Sequence, residues 1–260
     1  MTVQKQLDAD GVLLVTLDRP KKKNAFDEAQ WDATAAALRE AREDRRVAAL
    51  VITGAGGDFS AGVDLSSFGP PASPREDGHA SGYDAFMATL IDLDKPLLAA
   101  VRGVGIGIGC TLLLHCDVVY VGESVRLRLP FTALGLVPEG ASSYMLEAVV
   151  GARQAAELFF SAEWIDASRA VEVGIATRAF PDDTILDATL AKAREIAQHP
   201  VGALQATKRT LLAARRAGIE AALREERDGM AHQVGSPENL EALRAFLEKR
   251  PPDFRKLREG

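Results

Sequence analysis

The chain is 260 residues long, nearly half of them apolar (47%), with a formal net charge of −6. That length suits one large domain, or one domain with a helical appendage, around a sizeable core. So mild an acidity argues against a nucleic-acid or membrane-surface binder, and leaves room for a small anionic ligand held by local charge.

The two cysteines, Cys110 and Cys116, fall in one apolar stretch. They read as buried thiols in a reducing compartment, with neither a disulfide framework nor a zinc spacing. MTVQKQLDADG at the N-terminus has no apolar signal core, and no apolar run reaches the roughly 18–20 residues of a membrane span. The terminal LREG is not a peroxisomal address, so the expected location is cytoplasmic.

Residues 11–17, GVLLVTL, predict a strand, and LDRPKKKNAF follows as a loop with a basic cluster. Asp27 and Gln30 have capping-box spacing, with Asp in place of Ser or Thr. Trp31, Ala35, Leu38 and Ala41 then recur at helical spacing. A strand at Val47–Thr53 leads into the glycine-rich GAGGDFSAGVD. Residues 69–82, GPPASPREDGHASG, are turn formers and charges, long enough for a lid or a variable pocket wall. A helix is expected near Tyr83–Leu93. Next comes LLAAVRGVGIGIGCTLLLHCD, from Leu97 to Asp117. It reads as a buried strand, four alternating glycines (Gly103, Gly105, Gly107, Gly109) and the start of a buried helix at Cys110.

Strands near Val118–Val121 and Val125–Leu129 follow, then PFTALGLVPEGASSY, and helices near Ala152–Phe160 and Ala167–Val173. This alternation predicts an α/β class. From Val201 to Arg250 only helical patterns occur, broken near Gly218 and Gly235. Ser236 and Pro237 form a helix start, and Leu240, Leu243, Phe246 and Leu247 an apolar stripe. The expected organisation is therefore a core over 1–200 and a helical region over 201–260. The stripe must pack on its own core or on a neighbouring subunit, which favours an oligomer.

The glycine run fits no G-x-G-x-x-G, since the third-glycine position falls on Ile108, Cys110 or Leu112, and no G-K-[ST] follows. Ser60 in DFSAG and Ser142 in GASS make no nucleophile elbow. His115 reads as a satisfied core histidine; His79, His199 and His232 are isolated. Two backbone-presenting loops remain, FSAGVD at 59–64 and GIGIGC at 105–110. Each offers an N–H to a shared crevice, and two such donors define an oxyanion hole. Glu139, in LVPEGASSY, lies between an apolar run and small residues. It is either a base whose pKa desolvation raises, or a helix-start acid complementing the dipole.

Together these segments resemble the crotonase (enoyl-CoA hydratase/isomerase) superfamily. The resemblance rests on LDRPKKKNAF, TGAGGDFSAGVDL, AAVRGVGIGIGCTLLLHCD, PFTALGLVPEGASSY and FLEKRPPDF, in that order. It implies stacked ββα turns followed by a helical C-terminal region used for trimerisation, often as a dimer of trimers. It also implies an acyl-CoA thioester ligand, with no metal or redox cofactor. By position, the oxyanion-hole donors are the backbone N–H groups of Val63 and Ile108.

Hydratases of the family use two glutamates; here Thr111 and Phe131 stand in those places, so ordinary hydration should be weak or absent. PFxxLGLxPEGxSSY resembles the Δ3,Δ2-enoyl-CoA isomerase branch, in which the glutamate of the PEG motif, here Glu139, is the single base. Thr111 and Phe131 would then exclude water. For coenzyme A the resemblance and local charge suggest Lys21, Lys22, Lys23, Lys249 and Arg250, with Ala61, Asp64 and Leu65 at the AGVDL turn. Asp64 reads first as a helix cap or loop organiser and second as a ligand contact. The alternatives are a ring-derived acyl-CoA isomerase, residual hydration, or a catalytically silent acyl-CoA-binding protein.

Overall fold

The computed structural model describes residues 2–64 and 77–258. Leu65 and most of the suggested 69–82 lid lie outside the described residues.

Strand β1 (Val3–Leu7) runs antiparallel to β2 (Val12–Leu17). The Asp8 carboxylate closes the turn by accepting the Val12 N–H at 2.9 Å. Strands β3 (Ala49–Gly54), β4 (Leu97–Val101), β6 (Val118–Gly122) and β9 (Arg178–Phe180) then add in parallel, giving the order β1-β2-β3-β4-β6-β9. The central strand β4, LLAAV, is buried at every position. This is the pattern of a parallel strand covered on both faces. Leu50 and Ile52 of β3 point into one apolar cluster, Ala49 and Val51 into another. A second sheet joins β5 (Val104–Ile106), β7 (Arg126–Arg128) and β8 (Trp164–Ile165).

Helix α1 (Glu28–Glu43) starts where Asp27 accepts the Gln30 N–H, and it buries Trp31, Ala35, Leu38 and Ala41 as the spacing predicts. It packs against α2 (Gly82–Ile91), where Tyr83 meets Trp31 edge-on at 5.4 Å. The expected buried helix after the glycines is a single α-turn, α3 (Ile108–Thr111), continuing as a 3-10 turn over Leu112–His115. Beyond it lie α4 (Ser142–Val150), α5 (Ala152–Ser161), α6 (Ala167–Glu172) and α7 (Ile185–Ala197). Helix α7 covers the second face of the large sheet.

The C-terminal part is helical: α8 (Val201–Ala213), α9 (Arg216–Gln233) and α10 (Pro237–Leu247). The break expected near Gly218 falls at residues 214–215, between α8 and α9. Gly218 lies inside α9, where a Cβ would sit 2.5 Å from the Tyr144 ring, so it serves close packing. The break at Gly235 does occur, at φ 81°. Helix α8 is pegged to the sheet by the buried Lys208, whose ammonium donates to Asp117 Oδ2 at 2.8 Å and to the Lys95 carbonyl at 2.9 Å. Ser236 caps α10 as expected, but the inward side of that helix is Asn239, Ala242 and Ala245. Phe246 and Leu247 of the predicted stripe are 62% and 79% exposed, so the stripe does not pack on this chain's own core. Among the described residues no helix is long and apolar enough to cross a membrane.

Candidate active site

The two glycine loops meet edge to edge. Ser60 bridges Gly105, and the Ile106 N–H donates to the Ser60 carbonyl at 2.9 Å. The approach leaves no room for side chains. A Cβ on Gly62 would lie 2.7 Å from the Ile106 carbonyl oxygen, and one on Gly109 would lie 2.4 Å from that of Ser60. Gly107 precedes α3, so the Ile108 N–H is one of the free donors of a first helical turn. Val63 bridges Phe26: the Phe26 N–H goes to the Gly62 carbonyl at 2.7 Å and the Asp64 N–H to the Phe26 carbonyl at 2.8 Å. That pattern turns the Val63 N–H away from Phe26. Among the described residues neither the Val63 nor the Ile108 N–H has a backbone acceptor.

The PEG turn lies against α3. A Cβ on Gly140 would sit 3.0 Å from Thr111 Oγ1 and 3.7 Å from Ile108 Cδ1. The Thr111 hydroxyl donates to Glu139 Oε1 at 3.2 Å. Glu139 faces a cavity of about 770 Å³ whose apolar walls include Met87, Ile91, Leu223 and Met230. Burial pushes its carboxyl up to about 7; the Glu226 charge adds to the rise, while the Thr111 and Tyr83 hydroxyls pull it back. A carboxyl held there is a competent general base near neutrality.

Thr111→Val removes a donor that favours the ionised form, so the acid limb of kcat/KM should move to higher pH. A pH–rate profile should show activity several-fold lower at mildly acidic pH and little changed in the alkaline range. An unmoved acid limb would show that this hydroxyl does not act on the base.

The backbone that carries Glu139 is held from three directions. The Tyr83 hydroxyl accepts the Gly140 N–H at 2.8 Å. His115 Nε2 lies 2.7 Å from the Gly140 carbonyl; burial keeps this imidazole neutral, so Nε2–H is the donor. Glu226 accepts the Ala141 and Ser143 N–H groups at 2.7 and 2.8 Å. His115 is the satisfied core histidine expected, yet its partner adjoins Glu139. The helix-start role left open for Glu139 is filled by Glu226, at the first turn of α4. Tyr83 and Glu226 escape sequence reasoning because bonds to backbone N–H leave no residue pattern to read.

Phe131 is buried with its ring 6.3 Å from Phe159, and it does not line the cavity. The lysine turn is stitched to the AGVD loop by the Ala61 N–H, which donates to the Lys23 carbonyl at 2.8 Å. Asp64 organises this corner: Arg19 reaches it at 3.1 Å and Lys22 at 3.9 Å, while Lys23 lies 3.3 Å from Asp58. Lys21, Lys22 and Lys23 are exposed. Lys249 is also exposed, in the turn just after α10, a helix that packs on the 132–134 turn. Arg250 spans Glu241 and Glu248, both at 2.6 Å. It therefore pins the C-terminal segment and offers no free cation to a phosphate. Both thiols are inert: burial pushes Cys110 up to about 12 and Cys116 higher still.

Residues 8–257 match the profile of the enoyl-CoA hydratase/isomerase family. The chain is 36% identical over 247 residues to 2,3-dehydroadipyl-CoA hydratase of Escherichia coli (strain K12), covering 94% of this chain and 95% of that one. It is 32% identical over 248 residues to 1,2-epoxyphenylacetyl-CoA isomerase of the same strain, again covering 94% and 95%. Human enoyl-CoA delta isomerase 2 is 31% identical over 245 residues, which span 93% of this chain and 62% of that longer protein. A crystal structure of an enoyl-CoA hydratase/isomerase from Pseudoalteromonas atlantica T6c superposes with a TM-score of 0.91 at 33% identity, covering 98% of this chain and all of the other. A matching profile over almost the whole length, the shared fold and the paired glycine loops lead to one conclusion: the chain belongs to the enoyl-CoA hydratase/isomerase, or crotonase, family.

Proposed function

We propose that the protein is an enoyl-CoA isomerase that moves a double bond from C3 to C2 of an acyl-CoA. The observation that carries this reading is Glu139, a carboxyl poised at about 7 on a largely apolar cavity, beside the loops whose Val63 and Ile108 N–H groups have no backbone acceptor among the described residues. Glu139 takes a proton from C2 of a 3-enoyl-CoA. Electron density moves onto the thioester oxygen, where the Val63 and Ile108 N–H groups hold the dienolate. Glu139 then returns the proton to C4, which it can reach because C2 and C4 lie on one side of a planar dienolate. The sequence is proton transfer only and calls for no metal or redox cofactor.

Hydration is disfavoured by the residue types at the two family positions, Thr111 and Phe131, neither of which has a carboxyl to act as general acid or base on water. Glu226 also lines the cavity, but both its oxygens already accept backbone N–H bonds. Lys22, Lys23, Ala61, Asp64, Leu65 and Lys249 are the proposed coenzyme A contacts. The exposed apolar face of α10 suits the proposed homotrimer or dimer of trimers, acting in the cytoplasm in fatty-acid or related acyl-CoA degradation.

A second reading, isomerisation of a ring-derived acyl-CoA, is favoured by the 32% identity to 1,2-epoxyphenylacetyl-CoA isomerase together with a cavity of about 770 Å³. Substrate profiling separates them. Turnover of cis- or trans-3-enoyl-CoA should exceed hydration of 2-enoyl-CoA by about a hundredfold or more. Fast hydration would overturn the proposal, turnover confined to a ring epoxide would favour the second reading, and tight coenzyme A binding without turnover would point to a silent binder.

A further inference from the structure

We propose that Glu226, on α9, is the positioning residue of this site: it fixes the turn that carries Glu139 and supplies the negative charge that the base works against. The inference rests on the reading of Glu139 as the base.

Glu226 is only 7% exposed and comes from the helical C-terminal part of the chain. Its two oxygens accept the N–H groups of Ala141 and Ser143, at 2.7 and 2.8 Å. These donors sit where α4 begins, a helix start with no side-chain cap of its own. The turn needs holding. Gly140 and Ala141 are consecutive left-handed residues, at φ 73° and 58°, and Ala does not adopt that region without cost. Bonds on both sides of Ser142 fix the direction in which the chain leaves Glu139.

Several other groups face Glu139. From α2 come Tyr83 and Asp84, from the segment before it His79, from α9 Glu226 and Arg227, and beneath the turn His115. Arg227 and Asp84 pair at 3.2 Å and largely cancel. His115 is neutral, and Tyr83 is held protonated by burial and by the two nearby carboxylates. His79 is half-buried and lines the cavity from the segment before α2. Among the described residues no Lys or Arg pairs with Glu226. Its charge is met by the Ala141 and Ser143 N–H groups and the Ser143 hydroxyl rather than by a cation, so Glu139 feels it across the shared cavity.

The test compares Glu226→Gln and Glu226→Asp with the parent, following turnover and the ¹³C titration of carboxyl-labelled Glu139. Glu226→Gln removes the charge and turns an amide toward one N–H. The Glu139 titration and the acid limb of kcat/KM should both move to lower pH, and plateau kcat should fall about tenfold or more. Glu226→Asp keeps the charge but shortens the reach, so kcat should fall while the titration stays near the parent's. Where Glu226→Gln does not fold, Glu226→Met carries the same titration expectation. An unmoved Glu139 titration in a folded charge-free variant overturns the inference. If the parent turns over no 3-enoyl-CoA while the titration still moves, the functional reading fails and the inference stands.

Discussion

Glu139→Gln is expected to lower turnover of a 3-enoyl-CoA by about a thousandfold, the scale of losing a well-placed general base that serves both proton transfers. Glutamine keeps the shape and still accepts the Thr111 hydroxyl, so substrate binding should change little and the loss should appear in kcat. The same substitution should leave the fold at least as stable, with a pH dependence of defined sign. Glu139 is raised from the ordinary 4.5 to about 7, so between those values the folded chain holds a proton that the unfolded chain has released. Stability therefore falls as pH rises through that window, by about 3 kcal/mol at the upper limit. Glutamine has no proton to lose. Urea unfolding should find the variant equal to the parent at low pH and more stable in the alkaline range. Isomerase turnover surviving largely intact in Glu139→Gln would remove Glu139 from the mechanism.

The largest structural effect is expected at Gly109. An alanine Cβ there would lie 2.4 Å from the Ser60 carbonyl oxygen, a separation that real Cβ contacts do not reach. Ser60 cannot retreat: it is fully buried, its carbonyl accepts the Ile106 N–H, and its hydroxyl donates to the Asn24 carbonyl at 2.9 Å. Gly109→Ala must therefore separate the two loops, costing about 3 kcal/mol or more. Chain that still folds should lose about a hundredfold in kcat, because the Ile108 N–H moves with α3. Gly202 in α8 is the control, since a Cβ there meets nothing within 4 Å and Gly202→Ala should be neutral or mildly stabilising. Unfolding midpoints of the two variants decide the matter, and equal midpoints would refute the steric argument.

What the sequence made legible is what local pattern encodes. The strand β4 announces itself because a doubly covered strand is apolar at every position, and α1 because its cap and its stripe agree. Strand β1 gives no such signal: VQKQL has an exposed middle, and only pairing with β2 makes it a strand. Helix α7 hides because its buried positions are Ile185, Thr189 and Ala193, a stripe too thin and polar to count. Helix α4 hides for a different reason, since its cap is the side chain of Glu226, far away in sequence. Gly218 marks the neighbourhood of the α8–α9 break without causing it, since it sits inside α9 against the Tyr144 ring. The site divides the same way. Val63, Ile108, Thr111 and Glu139 lie in short motifs, whereas Tyr83, His115 and Glu226 act on main-chain atoms and leave nothing to match.

The long reach of Glu226 and Lys208 also sets an order of events in synthesis. The bonds that dock α8 and α9 close separations of 91, 85 and 83 residues. Contacts so distant form late, after the sheet has paid its own loop-closure entropy. Chain that has emerged as far as α4 (Ser142–Val150) already includes both glycine loops and Glu139, but not the helix α9 that grips the turn after Glu139. The newborn chain therefore passes through a stage in which the Glu139 turn is held by Tyr83 and His115 alone, and the third hold is added only when α9 arrives.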